Sequence, residues 1–521
     1  MTSNAQLIAD AFAKSRFSSI DWTIVTVYIL FSFVIGWMMK KYVHSMDDYI
    51  GAGRAVGTRL GIATMTGTEM GLITVMYNAQ NGYTGGFASF HIALAAAVVT
   101  LLVGLTGFIV YRLREFNVLT IPEYYERRFG RKVRIIGGIM LTLGGVLNMG
   151  LFLKVGSMFI VGITGMSDTG LALPIVMTVL LVLVLAYTVM GGMISVIITD
   201  YVQFVVLSIG VLVATALAIW TLGWSDIFSV VQEKMGEGGF NPFATEGEFG
   251  PEYVLWTLFT AGLVSCAIWP TAVARALAME SPKAVQRQYT WSSVSFMMRF
   301  LIPSFWGICA FVFVTTQAPD LYKLLTPQGD EPQIMANLYA MPAVLGRILP
   351  IGVLGILTAA MIAAFMSTHD SYLLCWSSVI TQDIIAPLKK ENMSTESRIF
   401  WTRAFIIIIG GYIWFWGIFY KGDEKIWDYM QITGAIYFSG AFSLLVCGLY
   451  WKRASSTGAV ISLFCGLGAI LGLSKVQEFL GIEIASARVG LGVIALTVIG
   501  MVAGSLLFPD KQKPMQESTA D

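Results

Sequence analysis

Stretches of about twenty residues without a formal charge recur along this chain, among them Trp22 to Met39, Ala88 to Tyr111 and Val489 to Phe508. Each has the length that a hydrocarbon layer about 30 Å thick demands of a helix. Marking every such stretch gives spans near 20–39, 57–78, 86–111, 135–163, 170–189, 193–222, 254–278, 288–317, 347–380, 399–420, 428–450, 457–474 and 486–508, thirteen in all. A chain of 521 residues that is 56% hydrophobic and 12% charged holds more apolar side chain than one water-facing globule can bury, so its solvent is lipid. The first span is expected to stay as an anchor, because Lys40 and Lys41 follow it and no small-residue cleavage site appears. A net charge of +1 offers no basic stripe for nucleic acid, and the five cysteines, scattered singly through the spans, offer neither a disulfide framework nor a zinc spacing.

With the N-terminus outside, 22 of the 33 Lys and Arg fall on the cytoplasmic side, 9 outside and 2 within spans. The inside set runs from Lys40, Lys41, Arg54 and Arg59 through Arg112 to Arg134, then Arg275, Lys389, Lys390, Lys452 and Arg453. This bias sets the orientation and supports an odd span count with a cytoplasmic C-terminus.

Two spans are imperfect. The second carries Thr64, Thr66, Gly67, Thr68, Glu69 and Gly71 at its centre, and the seventh reads Gly262, Ser265, Cys266, Trp269, Pro270. Interrupted helices opening each of two five-helix halves point to an inverted-repeat carrier with its sites at the breaks; ordinary kinks are the alternative, since Gly and Pro are common in membrane helices. On the ninth span Ala364, Ser367, Thr368 and Ser371 fall at i, i+3, i+4 and i+7, one face of a helix. Hydroxyls facing carbonyls freed at a break form an all-oxygen cage suited to an alkali cation, with close helix packing the competing reading.

Several motifs resemble the sodium/solute symporter family, which includes sodium/sugar, sodium/proline, pantothenate and sialic acid carriers. They are Asp47-Asp48-Tyr49-Ile50 with Gly53-Arg54, Ile121-Pro122-Glu123-Tyr124 with Arg128-Phe129, the stretch Gly170 to Ser195, and Gly448 to Arg453 with Gly458-Ala459. The resemblance implies an all-α integral membrane fold, a LeuT-type five-plus-five inverted repeat with extra flanking helices. As one transporter domain, residues 1–45 form an extra N-terminal helix, 46–222 the first repeat, 254–453 the second, and 454–521 two C-terminal helices and a short tail. It further implies a sodium site made by carbonyls of Gly67, Met70 and Ala364 and the hydroxyls of Ser367 and Thr368. Asp200, with Ser367, Asp370 and Ser371, matches a second cation site of some relatives.

For the solute, the resemblance points to Glu69, Gly71, Ser89, Asn148, Cys266, Trp269, Arg299 and Gln431. Glu69 stands where the proline carrier has Asp, Ser89 where the sugar branch has Glu, and Cys266 where it has an aromatic gate. Arg299 favours a carboxylate or several hydroxyls through its planar fork of donors. Lys154 either meets an anionic solute or snorkels to the surface. The expected protein is a symporter importing a small organic solute with sodium by alternating access in a plasma membrane of bacterial inner-membrane type, a monomer sufficing. A carboxylate-bearing solute such as an amino acid, pantothenate-like molecule or other monocarboxylate is expected, with sugars or polyols as the alternative. A membrane sensor on the same fold would need a separate partner for signalling, and no paired nucleophile and base supports an enzyme.

Overall fold

A computed structural model of the chain describes residues 14–39, 46–166, 171–325, 336–389, 393–420 and 425–510. Lys40, Lys41, Gly170, Lys390 and the C-terminal tail therefore lie outside the described residues. The main helices are α1 (Ser19–Met39), α2 (Thr58–Glu69), α3 (Leu72–Gly85), α4 (Phe90–Thr106), α5 (Ile121–Phe129), α6 (Arg131–Met149), α7 (Phe152–Thr164), α8 (Ala172–Leu222), α9 (Pro270–Leu277), α10 (Pro282–Thr316), α11 (Val353–Val379), α12 (Thr395–Phe419), α13 (Ile426–Tyr450), α14 (Ser456–Gly466) and α15 (Ser486–Leu507). Among the described residues nine helical stretches are long and apolar enough to cross a membrane, and ten if the pair Ser456–Gly472 and Ser474–Leu480, bent by 85°, is one crossing. This length test does not reproduce thirteen crossings. The second expected span is split at Met70 and Gly71, and Ser19–Ile35 and Ala172–Ala186 are shorter than the test requires.

Packing directions resolve two of the continuous stretches. Along α10, Glu69 meets Arg299 and Tyr83 meets Phe311, so α3 continues in the direction of α10. Thr290 packs on Gly104 and Gln286 on Gly107, so α4 returns. The reversal sits at Gly86, whose φ of +59° suits a residue without Cβ.

The helical run α8 covers both the fifth and sixth expected spans. Rising through α7, Gly156 faces Phe365 of α11, while Gly145 of α6 faces Trp376, and Gly150 and Lys154 meet Trp416 and Tyr420; α11 and α12 are thus antiparallel. Met177 and Leu185 follow Gly417 and Gly410 down α12, whereas Asp200 and Gly210 follow Ser367 and Ala360 up α11. The two halves of α8 run in opposite directions, which makes two crossings of it.

Burial sorts the helices into centre and rim. In the most apolar window of Val353–Leu388, 89% of residues are buried, against 33% in the windows of Val196–Leu222, Thr395–Phe419 and Ser486–Leu507. The first is the central helix and the other three present aliphatic faces to lipid. Asp21, fully buried on α1, accepts from the N–H groups of Gly352 and Gly355 at 2.7 Å each, satisfying donors left free at the start of α11. At the other side of the protein, Arg128 of α5 donates to the carbonyls of Gly448, Trp451, Lys452 and Ala454. That joins two of the sequence motifs: Phe129 and Tyr124 pack directly on Gly448.

Candidate functional site

The first break lies between α2 and α3. Met70 leaves the helical region (φ −91°, ψ 53°) and Gly71 is extended (φ −69°, ψ 158°). The last carbonyls of α2 then need partners other than the next turn, and lipid supplies none. Thr368 of α11 donates to the Thr68 carbonyl at 3.1 Å, and Arg299 donates to the Glu69 carbonyl at 3.1 Å. A Cβ on Gly71 would run into the Thr368 hydroxyl, so this position must be bare for α11 to approach. The second break follows a π-helical stretch, Leu258–Ile268, and falls at Trp269 (φ −66°, ψ 126°). Pro270 explains it: proline fits the first turn of α9 and pushes the residue before it to extended backbone.

Around Asp200 the breaks meet the central helix. Its Oδ2 accepts from Thr64 at 2.5 Å and Thr68 at 3.0 Å, and its Oδ1 accepts from Ser367. Both hydroxyls expected to hold sodium, Ser367 and Thr368, thus direct their protons at protein acceptors. That leaves their oxygen lone pairs for an ion, with Asp200 orienting Ser367 from behind. Gly67 packs on the Asp200 backbone, its Cβ direction 3.3 Å from the Asp200 carbonyl oxygen. Ser371 donates to Asp370 at 3.1 Å, and Asp370 and Ala364 are fully buried.

Arg275 is the residue that sequence reasoning misplaced. Counted among the cytoplasmic charges, it is instead 1% exposed, donating from Nη2 to Thr68 at 2.7 Å and to Ser371, with Asp200 Oδ2 at 3.6 Å. The signal that could have found it is its place on α9, two turns past the second break, where a charge in a crossing needs an acid.

Beside this cluster lies a cavity at the two breaks. Of the expected solute residues Glu69, Asn148, Trp269, Arg299 and Gln431 line it, together with Thr68 and Thr368 from the cluster. Gly71, Ser89 and Cys266 are not in its wall. Ser89 donates to the Gly86 carbonyl at the turn before α4, and Cys266 is fully buried within the π-helical stretch. Lys154 donates to the Tyr420 carbonyl away from the cavity. Aromatic walls from Tyr77, Phe300, Tyr372 and Trp427 were not anticipated, because singly spaced aromatics in apolar spans look like lipid-facing residues.

Arg299 and Glu69 face one another there. Nη1 of Arg299 is 2.5 Å from Glu69 Oε2, Nη2 donates to Ser265, and the guanidinium lies 4.1 Å and 4.5 Å from the rings of Phe296 and Phe300. Glu69 also accepts from Thr271 at 3.1 Å. Asn148 donates to the Met430 carbonyl at 2.7 Å, and Gln431 accepts from Thr260 at 2.9 Å.

Two broken helices packed on a central helix, with a cavity at the breaks, define a membrane carrier of the inverted-repeat class. A sodium:solute symporter family model matches residues 49–466, and the chain belongs to that family. It is 24% identical to the sodium/sialic acid symporter of Proteus mirabilis over 96% of this chain and 98% of that one. To the sodium/proline symporter of Haemophilus influenzae it is 25% identical over 87% of each. Its fold matches the solved structure of a sodium-coupled sialic acid symporter in a substrate-bound outward-open state, with a TM-score of 0.78 at 22% identity, covering 95% of this chain and all of that one. A TM-score of 0.51 at 14% identity, over 86% of this chain and 98% of that one, relates it to MhsT, solved with L-phenylalanine. The chain is a LeuT-fold, multi-pass membrane transporter rather than an enzyme, and sodium is its co-transported ion.

Proposed function

We propose that the protein carries a small carboxylate-bearing solute into the cell with sodium, the solute's carboxylate being read by Arg299. The observation that carries this is the Arg299 guanidinium, 4% exposed, in the wall of the cavity. A planar donor fork packed against two phenyl rings suits a carboxylate better than a single hydroxyl. Sodium is assigned to the carbonyls of Gly67, Met70 and Ala364 and the hydroxyls of Ser367 and Thr368. The halves 46–222 and 254–453 are assigned as the repeats that rock about this centre. The N-terminus is assigned outside, by the distribution of Lys and Arg. Each sodium entering down 100 mV supplies roughly 2.3 kcal/mol besides its concentration gradient.

The test is uptake into proteoliposomes from a panel of radiolabelled amino acids, monocarboxylates and sugars, with and without a sodium gradient. Sodium-driven uptake of a carboxylate, lost in Arg299→Gln and weakened in Thr368→Ala, is expected. Uptake of a sugar that Arg299→Gln leaves intact overturns the solute assignment, and sodium dependence unchanged in Thr368→Ala overturns the ion assignment.

A further inference from the structure

Glu69 changes what Arg299 can accept. Among the residues lining the cavity these two are the charged ones, and they already neutralise each other at 2.5 Å. A solute carboxylate that docks on Arg299 beside Glu69 adds a second anion to one guanidinium. One that displaces Glu69 strands a carboxylate that is 8% exposed and keeps only Thr271 as donor. In either case a monocarboxylate leaves an uncompensated negative charge inside the protein, which low-dielectric surroundings penalise heavily.

The adjoining cluster does not supply the missing positive charge. Asp200, Asp370 and Arg275, all buried, sum to one negative charge when the acids are counted as carboxylates. A single sodium at the Ser367 and Thr368 hydroxyls balances that cluster and leaves nothing for the cavity. With one sodium bound, the cation that compensates a solute carboxylate comes from the solute itself.

Resting on the reading that Arg299 binds a carboxylate, we propose that Glu69 is a specificity-determining binding residue that receives the ammonium of a zwitterionic solute. The substrate class is then an α-amino acid or a similar zwitterion rather than a simple monocarboxylate. Nη1 of Arg299 holds Glu69 Oε2, while Glu69 Oε1 accepts only from Thr271 and keeps lone-pair capacity for an N–H donor. Arg299 and Glu69 adjoin in one stretch of the cavity wall, so the carboxylate and ammonium sites lie side by side. The aromatic walls from Tyr77, Tyr372 and Trp427 give the solute's side chain an apolar surface to pack against.

The experiment measures sodium-dependent binding by calorimetry or ligand-induced thermal shift on the purified full chain. The probes are matched pairs differing only in the amine: alanine against propionate, phenylalanine against 3-phenylpropionate, and proline against cyclopentanecarboxylate. The wild type is expected to bind at least one amino acid ten-fold or more tightly than its deaminated partner. Glu69→Gln is expected to erase that preference, weakening the amino acid and strengthening the deaminated acid. Glu69→Asp, which keeps the charge, is expected to retain the preference and controls for a folding defect in the glutamine variant. If the wild type binds a deaminated acid as well as or better than its amino acid, and Arg299→Gln abolishes that binding, the Glu69 assignment is overturned and the Arg299 reading stands. If the probes bind and Arg299→Gln is indifferent, the Arg299 reading itself falls.

Discussion

Replacing Arg275 with methionine tests whether the buried cluster is held by charge. At 3.6 Å from Asp200, and with an effective dielectric of about 20, the attraction is roughly 4.6 kcal/mol. Methionine also removes the donors that reach Thr68 and Ser371, while filling part of the volume that the arginine stem occupies. Breaking a buried pair from one side generally costs about 3–5 kcal/mol, because the surviving ion is left without a partner. Arg275→Met is therefore expected to lose about 3–5 kcal/mol of unfolding free energy. Asp200→Asn in the same chain should restore at least half of it, since asparagine carries no charge to compensate and its single carbonyl oxygen still accepts from Thr64 and Thr68, with only the Ser367 hydrogen bond left to rearrange. The assay is reversible unfolding of the purified protein in mixed micelles, run as a double-mutant cycle. A loss below about 1 kcal/mol for the single variant, or an additive double variant, would refute the view that charge pairing holds these helices together.

Two further changes probe the frame around the site. Gly71→Ala forces a Cβ into the Thr368 hydroxyl, with Thr368 Cγ2 only 3.1 Å away. It is expected to cost about 1–3 kcal/mol of stability and to raise the sodium concentration for half-maximal transport at least ten-fold. Gly57→Ala, with open space around its Cβ position, should leave that concentration unchanged, and equal behaviour of the two variants would sink the packing account. Arg128→Ala strips four carbonyls at the end of α13 of a charged donor. A loss of about 1.5–3 kcal/mol, read as a lower melting temperature with transport per folded molecule intact, is the expected result. Arg128→Lys should rescue little, because one ammonium cannot span the spread of carbonyls that a guanidinium fork reaches.

The breaks were legible because lipid makes polar residues expensive: Thr64 to Gly71 and Trp269-Pro270 stood out against aliphatic neighbours and fall where the helices in fact end. The hydroxyl stripe of α11 was legible for the same reason. Pairings between distant segments were not. Glu69 and Arg299 are 230 positions apart, and each was read alone, as a separate partner for the solute. Arg275 was hidden by a rule that works on averages, since a basic residue near the end of a span is normally a cytoplasmic anchor. Ser89 and Cys266 show the limit of carrying positions over from relatives: a matched position inherits a place along a helix, but not its rotation towards the cavity.

These placements bear on how ion and solute are coupled. Thr68 and Thr368 bond to each other across the first break and also stand in the cavity wall. Under the proposed assignment, sodium draws on the Thr368 oxygen and on carbonyls one and two residues from Thr68, so its binding fixes the segment that carries Glu69. Glu69 in turn sets the position of Arg299 through both its carboxylate and its carbonyl. An ion that orders this segment lowers the cost of ordering it for the solute, and linkage requires the solute to tighten sodium by the same factor. Under that assignment the break after α2 is the physical link between the two sites, because its hydroxyls and carbonyls would face the ion on one side and its charged side chain the solute on the other.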